Sequence, residues 1–374
     1  MQLSIERAAL LKALGHVQNV VERRNTIPIL SNVLLAAADG RMTLSATDLD
    51  MEIVDEAEAR VERPGQITAP AHTLYEIVRK LPEGAEVELS YSAEDQRLLV
   101  VAGRSRFNLP VLPAGDFPVM SADSMGARFV IGAKDLIRLV DNTRFAMSSE
   151  ETRYYLCGLY LHSVVEDGST KLRAVATDGH RLALAEMPAP EGAAGAPGVI
   201  VPRKTVAEIR RLLDDAGESV EVQISPQKVR FDFGRASLTS KVIDGAFPDY
   251  PRVIEPLKAN NRVLIVDNSV FAKAVDRVAT ISEEKSRSIK VGVERGKVVL
   301  TVRNMAAGQA VEEIEADYDG DPFEIGFNAR FLLDVSDQIQ GEATEYRFAE
   351  PQIATLVLDP ADAGVQYVLM PLRV

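Results

Sequence analysis

The sequence predicts an α+β fold made of three copies of one unit, each with two helices packed on antiparallel sheet. Three observations carry this. A strand running into a shaped loop recurs: Leu44-Ser45-Ala46-Thr47-Asp48-Leu49, then Ala176-Thr177-Asp178-Gly179-His180-Arg181-Leu182, then, more faintly, Leu300-Thr301-Val302-Arg303-Asn304-Met305. A short apolar strand followed by an amphipathic helix returns with a period of about 125–130 residues. Around the helices hydrophobicity alternates with period two, the mark of half-buried strands.

Taken in order, each unit opens on a strand and a helix. Leu3-Ser4-Ile5 precedes the stripe Leu10, Leu14 and Val17; Phe129-Val130-Ile131 precedes Leu136, Leu139 and Val140; Val263-Leu264-Ile265 precedes Phe271, Ala274, Val275 and Val278. Apolar residues three and four apart give each helix one face to bury. A second strand and helix follow. The strands are Gln66 to Pro70, Val199 to Pro202 and Phe323 to Phe327, and the helices carry Leu74, Ile77, Val78 and Leu81, then Val206, Ile209 and Leu213, then Phe331, Leu332, Val335 and Ile339. Pro70 and Pro202 stand where a fixed φ suits the start of a helix. Val87 to Tyr91, Val220 to Ile224 and Val298 to Val302 alternate as sheet strands. The first two units end alike, Arg104 through Pro118 matching Gly234 through Asp249, so the domains are expected at 1–125, 126–256 and 257–374. The small-residue run Glu191 to Gly198 reads as an exposed, flexible loop.

Composition narrows the function. The 374 residues carry a formal charge of −13, which argues against coating nucleic acid by bulk electrostatics but allows a basic face on an acidic body. Cys157 is the single cysteine and the four histidines are scattered, so neither a disulfide nor a structural metal is expected, and no cofactor is called for. No apolar run approaches the ~18 residues of a membrane span, and the first residues lack the layout of a secretion signal, which together predict a soluble cytoplasmic protein. His180 with Asp178 and Arg181 invites a catalytic reading, but no nucleophile elbow, Gly-rich phosphate loop or paired-carboxylate motif accompanies them.

The whole chain resembles the bacterial DNA polymerase III β subunits, the sliding clamps. The likeness covers the segments above together with Asn25 to Asn32, Ile200 to Lys204, Phe247 to Tyr250, Ile325 to Asn328 and Met370-Pro371-Leu372-Arg373-Val374. It implies clamp domains in a ring-forming head-to-tail homodimer that encircles duplex DNA without regard to sequence and slides. Its partners would be the DNA polymerase III core, an ATPase clamp loader, and other polymerases and repair proteins carrying short linear motifs. The resemblance places a groove for those motifs at Leu156, Thr177, Gly179, His180, Arg181, Leu182, Pro248, Arg252, Val253, Val368, Met370, Pro371, Leu372 and Arg373. Aliphatic residues and an adaptable methionine suit Leu or Phe anchors, while His180, Arg181 and Arg252 suit a Gln side chain, a carbonyl or an acidic residue. Leu372 and Val374 stand where the family often has Met and Leu.

For DNA the resemblance points to Arg24, Arg153, Tyr154 and Tyr155, and the basic helix faces add Lys134, Arg138, Arg203 and Lys204. One of the two tyrosines is expected in the core, since adjacent strand residues face opposite ways. The second helix of the third unit breaks the basic pattern with Asp334 and Asp337. The resemblance also implies a dimer contact that joins Arg104, Arg106, Phe107 and Leu109 of one copy to Ile281 of the other, with Glu283 and Glu284 near it. Two further readings compete with the clamp: a three-repeat protein-binding scaffold that never encloses DNA, and an enzyme using Asp178, His180 and Arg181.

Overall fold

The computed structural model describes residues 1–92, 96–120, 125–283 and 287–373. Glu284 and Val374 lie outside these residues. The chain forms two compact units, residues 1–134, 190–197 and 204–242 in the first, and residues 135–189, 198–203 and 243–374 in the second.

The first unit contains a five-stranded antiparallel sheet, in spatial order 60–63, 2–6, 86–92, 97–102 and 105–110, and an eight-stranded one, in order 127–132, 219–224, 228–232, 237–241, 51–58, 41–47, 32–38 and 65–70. Helix α1 (Arg7–Val17) buries Leu10, Leu14 and Val17, and α2 (Ala71–Lys80) buries Leu74 and Val78, as the stripes require. The central repeat enters through Ser237–Lys241, whose Leu238 pairs with Ile53 and Thr239 with Glu52. Strands from two repeats thereby form one continuous sheet.

The second unit repeats the device. Its eight-stranded sheet runs 199–202, 158–166, 169–177, 181–188, 362–369, 355–359, 343–348 and 262–267, and its four-stranded sheet runs 308–315, 297–304, 288–294 and 323–328. Here Leu182 pairs with Val368 and Arg181 with Leu369, joining the central to the third repeat. Because repeats fuse through shared sheets, compactness divides the chain through the central repeat rather than between repeats.

Helix α3 (Ala133–Arg144) belongs from Asp135 on to the second unit, and α4 (Arg203–Leu213) from Lys204 on to the first. A seven-residue helix absent from the sequence reading, α5 (Pro251–Leu257), follows the Phe247 to Tyr250 segment, with Pro251 at its favoured first position. Helix α6 (Asn268–Ala279) starts at Asp267, whose carboxylate accepts the Val270 amide at 2.8 Å, and α7 (Ala329–Ser336) starts at Asn328, which accepts the Arg330 amide at 3.0 Å. Such side-chain acceptors satisfy otherwise orphaned helix amides.

Three local expectations are corrected or qualified. Helix α7 ends at Ser336, before Ile339, because the chain turns where Asp359 accepts the Gln340 amide. The Glu191 to Gly198 run is largely exposed, as expected, but it is anchored: Ala193 is fully buried, and a Cβ at Gly192 would collide with the Arg128 carbonyl at 2.2 Å. Tyr154 and Tyr155 lie on a 3₁₀ turn, Glu151–Leu156, and meet edge to face at 5.7 Å, so strand alternation does not apply and neither is core.

Candidate functional site

The repeated loop is one turn built twice from the same two side chains. Thr177 Oγ1 donates to the Arg181 carbonyl at 2.6 Å and accepts the Gly179 amide at 3.1 Å, while Asp178 Oδ1 accepts the amides of His180 and Arg181 at 2.9 and 3.0 Å. In the first copy Thr47 Oγ1 donates to the Met51 carbonyl at 2.8 Å and accepts the Leu49 amide at 3.0 Å, and Asp48 Oδ1 accepts the amides of Asp50 and Met51 at 3.0 and 2.7 Å. Short polar side chains that bond their own backbone a few residues on fix such turns locally. The residue after the aspartate has φ +87° at Gly179 and φ +77° at Leu49, a conformation that favours glycine. The third copy keeps part of the device, Asn304 Oδ1 accepting the amides of Ala306 and Ala307.

The second copy is set into a composite surface. The Met370 amide donates to the His180 carbonyl at 2.9 Å, bringing the last strand against the loop. Beneath lies an apolar cluster of Val175, Leu182, Tyr250, Ile254, Leu356 and Val368, which seats α5. Val253 and Met370 remain exposed, at 44% and 42%, and Leu372 is half-buried. Leu182, Val368 and Leu156 are core. The apolar surface is therefore made by Val253, Met370 and Leu372 above a buried floor, and only part of the predicted slot is open. Pro248 and Arg373 are exposed, Pro371 is half-buried, and exposed Arg252 pairs with Asp249 at 2.7 Å. Leu372 also donates its amide to the Gly326 carbonyl at 2.8 Å.

Two arginines bracket the loop. A Cβ at Gly179 would stand 2.8 Å from the Arg153 guanidinium, so only glycine lets that side chain lie so close; Arg153 in turn pairs with Glu150. Arg181 is not the free cation the sequence suggested. Its guanidinium bonds Asp178 at 3.2 Å, Asp334 and the Phe145 carbonyl at 2.7 Å, and lies over the rings of Phe331 and Phe145 at 4.4 and 5.2 Å. Sequence reasoning missed Tyr250 as part of the floor. Its hydroxyl meets His162 Nε2 at 2.9 Å; burial pushes the His162 pKa down, and burial pushes that of Tyr250 up, so both stay neutral near pH 7.

The predicted DNA-facing cations divide. Arg24, Lys134 and Arg203 are exposed. Arg138 and Lys204 are engaged within the protein: Arg138 holds Asp362 through two bonds of 2.6 Å, and Lys204 bonds Glu22 at 2.5 Å and Asp48 at 2.6 Å. On the predicted dimer surface, Ser105–Pro110 is the edge strand of its sheet, with no partner on its outer side among the described residues, Arg104 and Arg106 exposed and Leu109 buried. Phe107 lines a cavity of about 520 Å³ with His72, Ile77 and Leu81. Ile281 is half-buried beside exposed Glu283. Among the described residues, no group of three or more His, Cys, Asp or Glu side chains is placed to hold a metal, and no helix is long and apolar enough to cross a membrane.

Comparison with known proteins decides the family. Models of the N-terminal, central and C-terminal domains of the DNA polymerase III beta subunit match residues 1–121, 130–249 and 254–373 in succession. The chain belongs to the DNA polymerase III beta subunit family. It is 72% identical over 374 residues to the beta sliding clamp of Caulobacter vibrioides, and 37% identical over 374 residues to that of Escherichia coli K12, covering 100% of each chain in both cases. Its fold superposes on the crystal structure of the C. crescentus beta sliding clamp with a TM-score of 0.98 at 72% identity, covering 100% of this chain and 99% of that one. A griselimycin-bound sliding clamp from Bartonella birtlesii gives a TM-score of 0.96 at 46% identity, with 100% of both chains covered. The three-repeat fold is thus a clamp fold, and the sliding clamps of DNA polymerase III serve DNA replication.

Proposed function

We propose that two copies of this chain close head to tail into a ring that encircles duplex DNA, slides along it and tethers polymerases, without itself catalysing a reaction or holding a cofactor. The carrying observation is the edge strand Ser105–Pro110, unpaired on its outer side among the described residues, with Phe107 beside an open cavity of about 520 Å³, a surface shaped to take an apolar side chain such as Ile281 of a second copy. Unpaired edges otherwise invite uncontrolled association, and pairing them removes that liability. The domains of the reading are 1–125, 126–256 and 257–374. Exposed Arg24, Lys134 and Arg203, with Tyr154 beside Arg153, supply loose phosphate and base contacts; a topological tether needs few of them.

Short linear motifs of the polymerase III core, the clamp loader, and other polymerases and repair proteins dock where Val253, Met370 and Leu372 flank the His180 loop. The protein works in the cytoplasm beside the chromosome. The test is retention on nicked circular DNA, loaded by an active clamp loader with ATP, before and after linearisation. Retention on circles and loss from linear ends supports the ring. Equal retention on both refutes encirclement and favours a scaffold that binds partners without enclosing DNA.

A further inference from the structure

The two full copies of the Thr-Asp turn provide an internal control. The first copy adopts the turn with Met51 at its last position, a buried residue whose side chain has no charge to pair. The second copy places Arg181 there and keeps the same backbone hydrogen bonds. A guanidinium is therefore not needed to form the turn. What Arg181 adds is attachment. Its fork reaches Asp178 within the loop, the Phe145 carbonyl beyond α3, and Asp334 on α7, with the Phe331 ring against its plane. Planar, multiply bonded arginine holds geometry in a way a single contact does not.

From this comparison we infer that Asp334, in the third repeat, is a positioning residue for the partner-binding groove carried by the central repeat, acting through Arg181, which anchors the loop and does not itself grip the partner. The Arg181 side chain is only 10% exposed, and each of its three nitrogens already donates within the protein, to Asp178, Asp334 and the Phe145 carbonyl, so it has little left to offer a ligand. The surface presented outward is the exposed His180 and Gly179 backbone, with Met370 tied to the His180 carbonyl at 2.9 Å. Loosening Arg181 moves that backbone, and Met370 with it. The inference also explains why a carboxylate stands on a helix face read as basic. It rests on the groove assignment made above.

The test uses the full-length protein, with a fluorescein-labelled peptide carrying one Gln and Leu-Phe anchors as probe, and Met370→Ala to confirm that the peptide occupies this groove. Arg181→Met copies the first repeat and is expected to fold, because that repeat already makes the turn with Met. Asp334→Asn and Arg181→Met should each weaken the peptide about tenfold, and the double variant should be no weaker than Arg181→Met alone, as expected of residues acting as one unit. Amide hydrogen exchange should quicken at Gly179 and His180 in Asp334→Asn but not at Leu49 and Asp50. Wild-type affinity and exchange in Asp334→Asn overturn the inference. Loss of binding in Arg181→Met but not in Asp334→Asn also overturns it, since Arg181 would then touch the partner directly. A wild-type protein that does not bind the peptide, or binds it regardless of Met370, overturns the groove assignment itself and the inference with it.

Discussion

His16 is a charged group buried inside the first unit, and replacing it tests how that unit is held together. Its Nδ1 lies 2.6 Å from Asp55 Oδ2 and its Nε2 lies 2.9 Å from Asp215 Oδ2. Both partners are acceptors, so both ring nitrogens must donate and the ring is an imidazolium. Burial works against that charge, but hydrogen bonds to the two carboxylates outweigh it and raise the His16 pKa above its ordinary value; Arg211, which donates to the His16 carbonyl, opposes the rise.

Removing one partner of a buried ion pair costs about 3–5 kcal/mol. The lower end applies, because Asp215 is 44% exposed and keeps Lys12 at 2.7 Å, whereas Asp55 is left buried and facing an apolar group. At about 3 kcal/mol, His16→Leu should raise the opening constant of α1 and of strand Met51–Glu58 about a hundredfold. Adding Asp55→Val, which removes the stranded charge, should recover most of the loss. Hydrogen exchange of these segments at several pH values is the assay. A raised pKa means the contribution is fully present below the ordinary value of about 6.5 and is lost as pH rises through the folded-state value. The gap between wild type and His16→Leu should therefore be widest near pH 6 and shrink on the alkaline side. A gap that instead widens with alkalinity, or a double variant no better than the single one, would refute a charged, paired His16.

Three further outcomes follow from the same structure. Phe107→Asp should raise the dimer dissociation constant about a hundredfold or more by placing a charge in an apolar contact, and sedimentation velocity showing an unchanged dimer at nanomolar concentration would remove this strand from the interface. Gly179→Ala, at φ +87° and with Arg153 2.8 Å from the new Cβ, should cost about 1–2 kcal/mol locally and weaken peptide binding, read by titration calorimetry, while Leu49→Gly should relieve strain in the matching turn. Lys134→Ala and Arg203→Ala should each lower the log–log salt slope of DNA binding by up to about 0.9, whereas Arg138→Ala, already paired to Asp362, should leave it unchanged.

What the sequence disclosed was whatever depends on neighbours within a few residues. The stripes of α1, α4 and α6 are buried as read, that of α2 is buried at Leu74 and Val78 but only half-buried at Ile77, and the Thr-Asp turn is legible because its bonds span two to four residues. Partnership across the fold was not. Arg138 meets Asp362 and Lys204 meets Asp48 through sheets whose registers no local pattern states, so exposed and committed cations looked alike. Helix α5 was missed because seven residues with a proline inside give no periodicity, though Pro251 was a usable start signal. The tyrosine pair was misplaced because a 3₁₀ turn and a strand end are alike over six residues.

The three copies differ most where the fold joins them, and that divergence is where function enters. The same turn ends in Met51 in the first repeat and in Arg181 in the second, with an asparagine-centred remnant in the third. Both full turns stand on strands beside which another repeat's strand is paired: Met51 faces Ser240, and Arg181 faces Leu369. At the first junction the turn ends in buried Met51, with Leu49 and Asp50 exposed beside it. At the second, Arg181 takes up the local carboxylate and one from α7, leaving the backbone of Gly179 and His180, with Met370 and Val253, as the surface open to a partner. Repetition supplies the turn twice, and its last position, Met51 in one copy and Arg181 in the other, is where the two copies differ in what they attach to.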